Sequence, residues 1–195
     1  MSDQISIRDG DALLVIHVQN DFLPGGALAV AEGDQVVEPI NRCIEIFHPR
    51  GLPIYATRDW HPADHCSFKE QGGPWPAHCV AGTHGSEFAP SLGLPAFAML
   101  ISQATDPARE AYSSFDGTNL DFQLKMYGTK RLFVGGIATD YCVLNTVRDA
   151  LKLGFQVYLM TDCIRAVNVN PDDGDKAIAE MVSLGAVLIT SDEVA

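Results

Sequence analysis

The chain has 195 residues and a mass of 21.1 kDa, enough to bury the core of one domain, and we treat residues 1–195 as a single domain. Its 47% hydrophobic and 19% charged residues exclude a disordered or fibrous class, and no apolar run reaches the roughly 18 residues of a membrane span. Thirteen basic and 25 acidic residues give a net charge of −12, which disfavours nucleic acid and anionic membranes as partners.

Apolar runs alternate with amphipathic stretches along the chain. In chain order, the apolar runs predict strands at 11–18, 53–57, 97–101, 131–135, 155–160 and 186–190. Helical spacing predicts helices at 34–48, 140–153 and 172–184, the last two ended by glycines. This alternation predicts an α/β fold with three α/β/α layers around a six-stranded parallel sheet. The segment 58–96 is rich in Pro, Gly and His, and a loop of that length is usually functional.

The N-terminal segment and the cysteines both indicate a cytoplasmic protein. Residues 1–10 lack the basic patch and apolar stretch of a signal peptide. Five cysteines, an odd number without a CxxC pair, favour reduced thiols over a disulfide framework. We therefore expect most of these thiols to be small buried hydrophobes.

Polar or reactive side chains follow four of the predicted strands. His17 follows the first strand, Asp59 and His61 the second, Gln103 the third, and Cys142 lies a few residues beyond the fourth. The carboxyl ends of parallel strands share one edge of the sheet, where ligands bind. The sequence therefore predicts a functional site at this edge.

The long loop carries a candidate metal site. Asp59 and His61 are two residues apart, so on an extended segment their side chains face the same side. His65 and His78 lie in the same loop, and a carboxylate with imidazoles suits Zn²⁺, Mn²⁺ or Fe²⁺. The alternative is a set of solvated loop histidines.

Cys142 is a candidate nucleophile. It falls in the first turn of the predicted helix at 140–153, with Thr139 as N-cap, so the helix dipole would stabilise a thiolate. Nearby backbone amides could hold an oxyanion. The alternative is a buried structural cysteine.

Five motifs together resemble the nicotinamidase/pyrazinamidase branch of the isochorismatase-like hydrolases. They cover nearly the whole chain, in the order VIHVQNDFLPGGALAV, TRDWHPADH, WPAHCVAGTHG, DPAREAYSSFDGT and GIATDYCV. The resemblance implies a six-stranded parallel sheet. It also implies hydrolysis of nicotinamide to nicotinate and ammonia in NAD salvage, on a small-molecule substrate.

The resemblance further implies roles for individual residues. A divalent metal, zinc with iron or manganese as alternatives, would be held by Asp59, His61 and His78, with His65, Ser67 or Glu70 as a further ligand. The amides of Ala138 and Cys142, beside a cis peptide between Ile137 and Ala138, would form the oxyanion hole. The pyridine ring would be bound by Phe22, Trp75 and Tyr112, although aromatic residues in loops also serve simply as packing.

Two catalytic positions depart from the family pattern. The family triad is Asp, Lys and Cys, and this chain has His17 and Gln103 in place of the Asp and the Lys. The family's Asp–Lys pair and the His17–Gln103 pair are each neutral overall. A single change would leave a buried unpaired charge, so the fold should tolerate the double change better. His17 either acts as the base of a Cys–His couple, or turnover is impaired. In the first case Gln103 either sets the tautomer of His17 or donates a hydrogen bond to the substrate.

Two further alternatives stay open, a non-catalytic binding protein and a sister hydrolase with another amide substrate. Isologous dimers are common among soluble proteins, so a homo-oligomer is compatible with the sequence without being indicated by it.

Overall fold

The computed structural model describes residues 4–195, and its centre is a six-stranded parallel sheet. The strands are β1 (Asp11–Ile16), β2 (Ile54–Asp59), β3 (Met99–Gln103), β4 (Arg131–Ile137), β5 (Gln156–Arg165) and β6 (Val187–Ile189). Their order across the sheet is β3-β2-β1-β4-β5-β6. The chain therefore winds outward from β1 in one direction and later in the other, which opens a crevice between the carboxyl ends of β1 and β4.

Helices cover both faces of the sheet. They are α1 (Val37–Phe47), α2 (Leu120–Met126), α3 (Leu144–Lys152) and α4 (Asp173–Ser183). Successive strand residues point to opposite faces, so Leu13 and Val15 pack in the core under α1. Leu14 and Ile16 belong to a second core, with residues of α2, α3 and α4. The predicted three-layer α/β/α architecture is confirmed.

Most element ends differ from the sequence prediction by up to three residues, and three differences are larger. Strand β5 continues to Arg165, five residues past the predicted end at 160. Helix α2 was not predicted, because seven residues are too few to display a helical period. The predicted helix at 140–153 is divided, since Thr139–Val143 forms a π-helical turn and α3 begins at Leu144.

The long segment between β2 and β3 is held by short bridges to the rest of the fold. Isolated β-bridges join His61 to Val80 and Phe68 to Trp75 within the segment. A further bridge joins Phe88 to Gln19, just after β1. These contacts fix the segment over the carboxyl edge of the sheet. Within residues 4–195, no helix has the length and apolar character needed to cross a membrane.

Candidate active site and metal centre

The structure brings the predicted residues to the carboxyl edge of the sheet. His17 directly follows β1, Asp59 ends β2, and Gln103 ends β3. Cys142 lies in the π-helical turn after β4. Three residues, His17, Asp59 and Cys142, each offer one possible ligand atom. These three atoms lie within 4.8 Å of one another. The convergence predicted from the strand ends is confirmed.

His17 is placed by a turn of the backbone at the end of β1. Its φ of 47° lies in the left-handed region, where histidine is found more often than most residues. Its backbone N–H donates to the Thr57 carbonyl at 3.0 Å, and its carbonyl accepts from the Gln19 N–H at 2.8 Å. The ring is fully buried, with Nδ1 3.8 Å from Asp59 Oδ2.

The imidazole of His17 is buried, and burial favours its neutral form. Burial lowers its pKa, while Asp59 and the neighbouring Gln103 side chain act in the opposite direction. Among residues 4–195, neither of its ring nitrogens has a hydrogen-bond partner. A neutral imidazole in this state can take up a proton or bind a metal ion.

Gln103 is also buried, and only one of the two polar atoms of its side-chain amide is hydrogen-bonded. Nε2 donates to the Ala111 carbonyl at 2.9 Å, whereas Oε1 has no hydrogen-bond partner in the described part of the chain. Gln103 is not among the residues that line the pocket. His17 is not among those residues either. Because the Gln103 side chain lies beside the His17 ring, we expect its influence on the reaction to pass through that ring.

Cys142 is buried, and its surroundings favour the thiol over the thiolate. Burial raises its pKa well above the usual range, and the carboxylates of Asp59 and Glu110 raise it further. A hydrogen bond with the Ala138 backbone acts in the opposite direction. Burial and the two carboxylates oppose the stabilisation of a thiolate by the helix N-terminus, which stays a prediction. Thr139 makes no capping hydrogen bond, and the residue before the turn is Ala138.

Asp59, His61 and His78 form a buried group whose ligand atoms lie within 4.8 Å of one another. His61 Nδ1 lies 3.0 Å from the His78 carbonyl, and His78 Nδ1 lies 2.8 Å from the Pro76 carbonyl. When each Nδ1 donates to a carbonyl, the Nε2 lone pair is left for a metal ion, as in many protein metal sites. Burial lowers the pKa of His61 to about 4, which keeps the ring unprotonated. The group fits a divalent metal.

Gln19 holds Asp59 in position and was not singled out from the sequence. Its Nε2 donates to the Asp59 carbonyl at 2.9 Å, and its Oε1 accepts from the Asp59 N–H at 2.8 Å. Nε2 also donates to the Ser86 carbonyl. Its place in the QNDF motif was visible, but its contacts depend on the fold of the long segment.

The other candidate ligands are placed less well for a metal. Both ring nitrogens of His65 already contact protein atoms, Nδ1 with Ser67 Oγ at 2.8 Å and Nε2 with the Arg109 carbonyl at 3.1 Å. Ser67 lines the pocket, but Glu70 is exposed in the turn Lys69–Gln71. His84 is 79% exposed and belongs to the solvated histidines considered as an alternative.

An aromatic pocket opens above Cys142. Trp75 Nε1 donates to Tyr112 Oη at 2.9 Å, and the Trp75 and Tyr141 rings pack edge to face with centroids 5.1 Å apart. Phe22 lines the same pocket, so the three predicted ring-binding aromatics are gathered there. The Ala138 and Cys142 side chains also line it, together with Asp59, His61 and His78.

The pocket lining differs from the predicted set at Ile137, Glu110 and Tyr141. The Ile137 side chain is fully buried and does not line the pocket, so any contact with a substrate would come from its backbone. The peptide bond from Ile137 to Ala138 is cis. Glu110 and Tyr141 line the pocket and were not predicted. Burial raises the pKa of Glu110.

Comparisons with known proteins agree with this geometry. The isochorismatase domain profile matches residues 11–193. The nicotinamidase of Escherichia coli is 41% identical over 92% of this chain and 94% of its own length. The pyrazinamidase of Pyrococcus horikoshii, solved in complex with zinc, superposes with a TM-score of 0.89 at 48% identity, covering 93% of this chain and 99% of that one.

A second solved structure, PnC1 from L. infantum in complex with nicotinate, has a TM-score of 0.91 at 35% identity and covers 98% of both chains. The fold and the comparisons thus define a hydrolase of the three-layer α/β/α class. The chain belongs to the isochorismatase family, and within it the chain is similar to nicotinamidases and pyrazinamidases.

Proposed function

We propose that this chain hydrolyses nicotinamide, and also pyrazinamide, to the corresponding acid and ammonia through a thioester on Cys142. The observation that carries the proposal is the Cys142 thiol at the base of an aromatic pocket, within 4.8 Å of the unpartnered imidazole of His17. The printed names of the relatives, with nicotinate bound in one of them, support the substrate class.

The first half-reaction forms the thioester. The Cys142 sulfur attacks the carboxamide carbon as its proton moves to His17, and the C=O π pair moves onto oxygen. The Ala138 and Cys142 amides are proposed to hold this oxyanion. When the tetrahedral adduct collapses, the C–N bond breaks and the proton on His17 passes to the leaving nitrogen, which departs as ammonia.

The second half-reaction returns the free enzyme. A water molecule attacks the thioester carbon while His17 takes one of its protons. The C–S bond then breaks, the acid departs, and the proton returns to the Cys142 sulfur. Gln103 is a positioning residue in this scheme, because it acts on His17 without touching the substrate.

A divalent metal is proposed at Asp59, His61 and His78, with zinc as the first choice and iron or manganese as alternatives. When bound, the metal supplies a coordination position that orients the pyridine ring nitrogen. The carbonyls of His78 and Pro76, which contact Nδ1 of His61 and of His78, support this assignment. Asp59→Ala or His61→Ala should therefore strip the metal and weaken ring binding. Full metal content in both variants would contradict the assignment.

One observation favours a second candidate, an impaired enzyme that binds substrate but turns it over slowly. Burial raises the pKa of the Cys142 thiol, and the carboxylates of Asp59 and Glu110 raise it further, so the thiolate is difficult to form. Losing a well-positioned acid–base group costs roughly 10²–10⁴-fold in rate. A sister hydrolase acting on another amide would instead turn over a different member of a substrate panel.

The deciding experiment is ammonia release from nicotinamide by the metal-loaded protein and three variants. Cys142→Ala tests the nucleophile, and Cys66→Ala is the matched control at a cysteine that does not line the pocket. The double variant His17→Asp/Gln103→Lys restores the family pair. Activity in the parent that Cys142→Ala abolishes supports the working Cys–His couple. A silent parent with an active double variant identifies the impaired enzyme and overturns our first choice.

The remaining proposals concern context. We propose that residues 1–195 are one domain acting in the cytoplasm in NAD salvage, with a small-molecule substrate. The net charge of −12 supports the absence of nucleic-acid and membrane partners. A homo-oligomer stays compatible with the chain.

A further inference from the structure

We propose that His17, Asp59 and Cys142 form a second cation site for a thiophilic ion such as zinc, beside the first metal group. The ion would occupy the nucleophile and its base together and so switch off turnover reversibly.

The three side chains lie close enough together to share one tetrahedral ion. Their ligand atoms lie within 4.8 Å of one another, and His17 Nδ1 is 3.8 Å from Asp59 Oδ2. Zinc bonds of about 2.0–2.3 Å place neighbouring tetrahedral ligands about 3.3–3.8 Å apart. The His17–Asp59 pair therefore needs almost no movement, and a pair at the 4.8 Å limit would have to close by about 1 Å.

The His17 ring nitrogens are available to a ligand, with the Gln103 side chain beside the ring. It is fully buried, and both of its nitrogens lack a hydrogen-bond partner within residues 4–195. A buried polar atom without a partner costs about 1–3 kcal/mol, so such atoms call for a physical reason. A bound ion would satisfy one of the two nitrogens.

The charge of the site favours a cation. Asp59 and Glu110 bring carboxylates close to Cys142, and Gln103 is neutral where the resembled family has a lysine ammonium. Imidazole and thiolate ligands select zinc, cobalt or cadmium over magnesium. Binding breaks the Cys142 S–H bond and forms a metal–sulfur bond, and the proton leaves to solvent.

Asp59 belongs to both groups, so its carboxylate would bridge the two ions. This sharing predicts an order of occupation. The first ion takes Asp59, His61 and His78, without sulfur. The second ion adds Cys142, and its arrival is visible as thiolate-to-metal charge transfer.

The test is metal titration of the chelated protein with Co²⁺ under anaerobic conditions, following cobalt per chain and near-ultraviolet absorption. The parent should bind two ions, with thiolate absorption on the second. Cys142→Ser and His17→Asn should each bind one ion without it, and Cys66→Ser should match the parent. A single ion in the saturated parent, or thiolate absorption that survives in Cys142→Ser, would overturn the proposal.

A measurement on the unmodified chain removes dependence on any variant's folding. The second ion should slow iodoacetamide labelling of Cys142, read from its peptide by mass spectrometry, and leave Cys66 labelling unchanged. Equal labelling of Cys142 with one and two equivalents of cobalt would contradict the site. Neither readout uses ammonia release, so the second site stands or fails apart from the proposed reaction.

Discussion

The two ends of the central strands bury polar side chains in opposite ways. At the amino end, Asp11 of β1 and Arg131 of β4 are 1% and 7% exposed. Arg131 Nε and Nη2 donate to the two oxygens of Asp11 at 2.5 Å, and Nη2 also donates to the Ser6 carbonyl at 3.0 Å. At the carboxyl end, His17 and Gln103 are equally buried but keep polar atoms without partners in the part of the chain described.

This difference indicates that the amino end of the sheet stabilises the fold and that the carboxyl end carries the reactive groups. A bidentate, fully hydrogen-bonded pair locks β1 to β4 and leaves nothing free to react. Unpaired buried atoms cost about 1–3 kcal/mol each and persist where a ligand or a reaction uses them. Substitutions at the carboxyl end should therefore change activity more than stability, and substitutions at the amino end should do the reverse.

The largest expected effect is the loss of activity in Cys142→Ala. Removing the nucleophile should lower ammonia release by on the order of 10⁶-fold, to background, because no thioester can form. The free energy of unfolding should change by only about 1 kcal/mol, since one small buried atom is lost. Activity near that of Cys66→Ala would exclude Cys142 as nucleophile.

The next effect belongs to His17→Asn. Asparagine tolerates the left-handed backbone at this position but cannot act as a base near neutral pH. We expect kcat to fall by roughly 10²–10⁴-fold with KM nearly unchanged, and the urea midpoint to stay within experimental error. A fall in stability with activity preserved would place His17 with the structural pair at the other end.

Much of the fold was predictable because continuous apolar runs have few structural solutions. The six strands, three of the four helices and the shared carboxyl edge follow from hydrophobic periodicity and parallel-sheet topology. The metal group was predictable from Asp59 and His61 on one strand end and the histidines of the loop. What failed was local: helix α2, the length of β5 and the π-helical turn.

The rest of the site depends on loop conformation, which periodicity does not encode. Glu110 reaches the pocket from a segment without regular structure, and Tyr141 from the turn that replaced a predicted helix start. The expectation of a Cys142 thiolate weighed the helix dipole alone. Burial beside Asp59 and Glu110 dominates its pKa, and neither contact is visible in the spacing of residues.

Arg131→Met tests how much the buried ion pair at the amino end contributes to stability. It should lower the free energy of unfolding by about 3–5 kcal/mol in urea titrations, because Asp11 is left as a buried unpaired charge. Activity per folded molecule should be unchanged. The double variant Asp11→Leu/Arg131→Met should recover much of the loss, since it removes both charges. A double variant as unstable as the single would show that packing, not charge, dominates there.

The smallest effect is expected at an exposed ion pair. This pair shows what ion pairing contributes to stability without burial. Lys125 Nζ lies 2.8 Å from Asp121 Oδ2 on α2, with side chains 57% and 36% exposed. Lys125→Met should cost only about 0.3–0.5 kcal/mol, because solvent screens the pair and the freed carboxylate is rehydrated. The contrast with Arg131→Met therefore measures what burial adds to an ion pair of similar length. A loss above about 2 kcal/mol at Lys125 would remove burial as the explanation for the amino end.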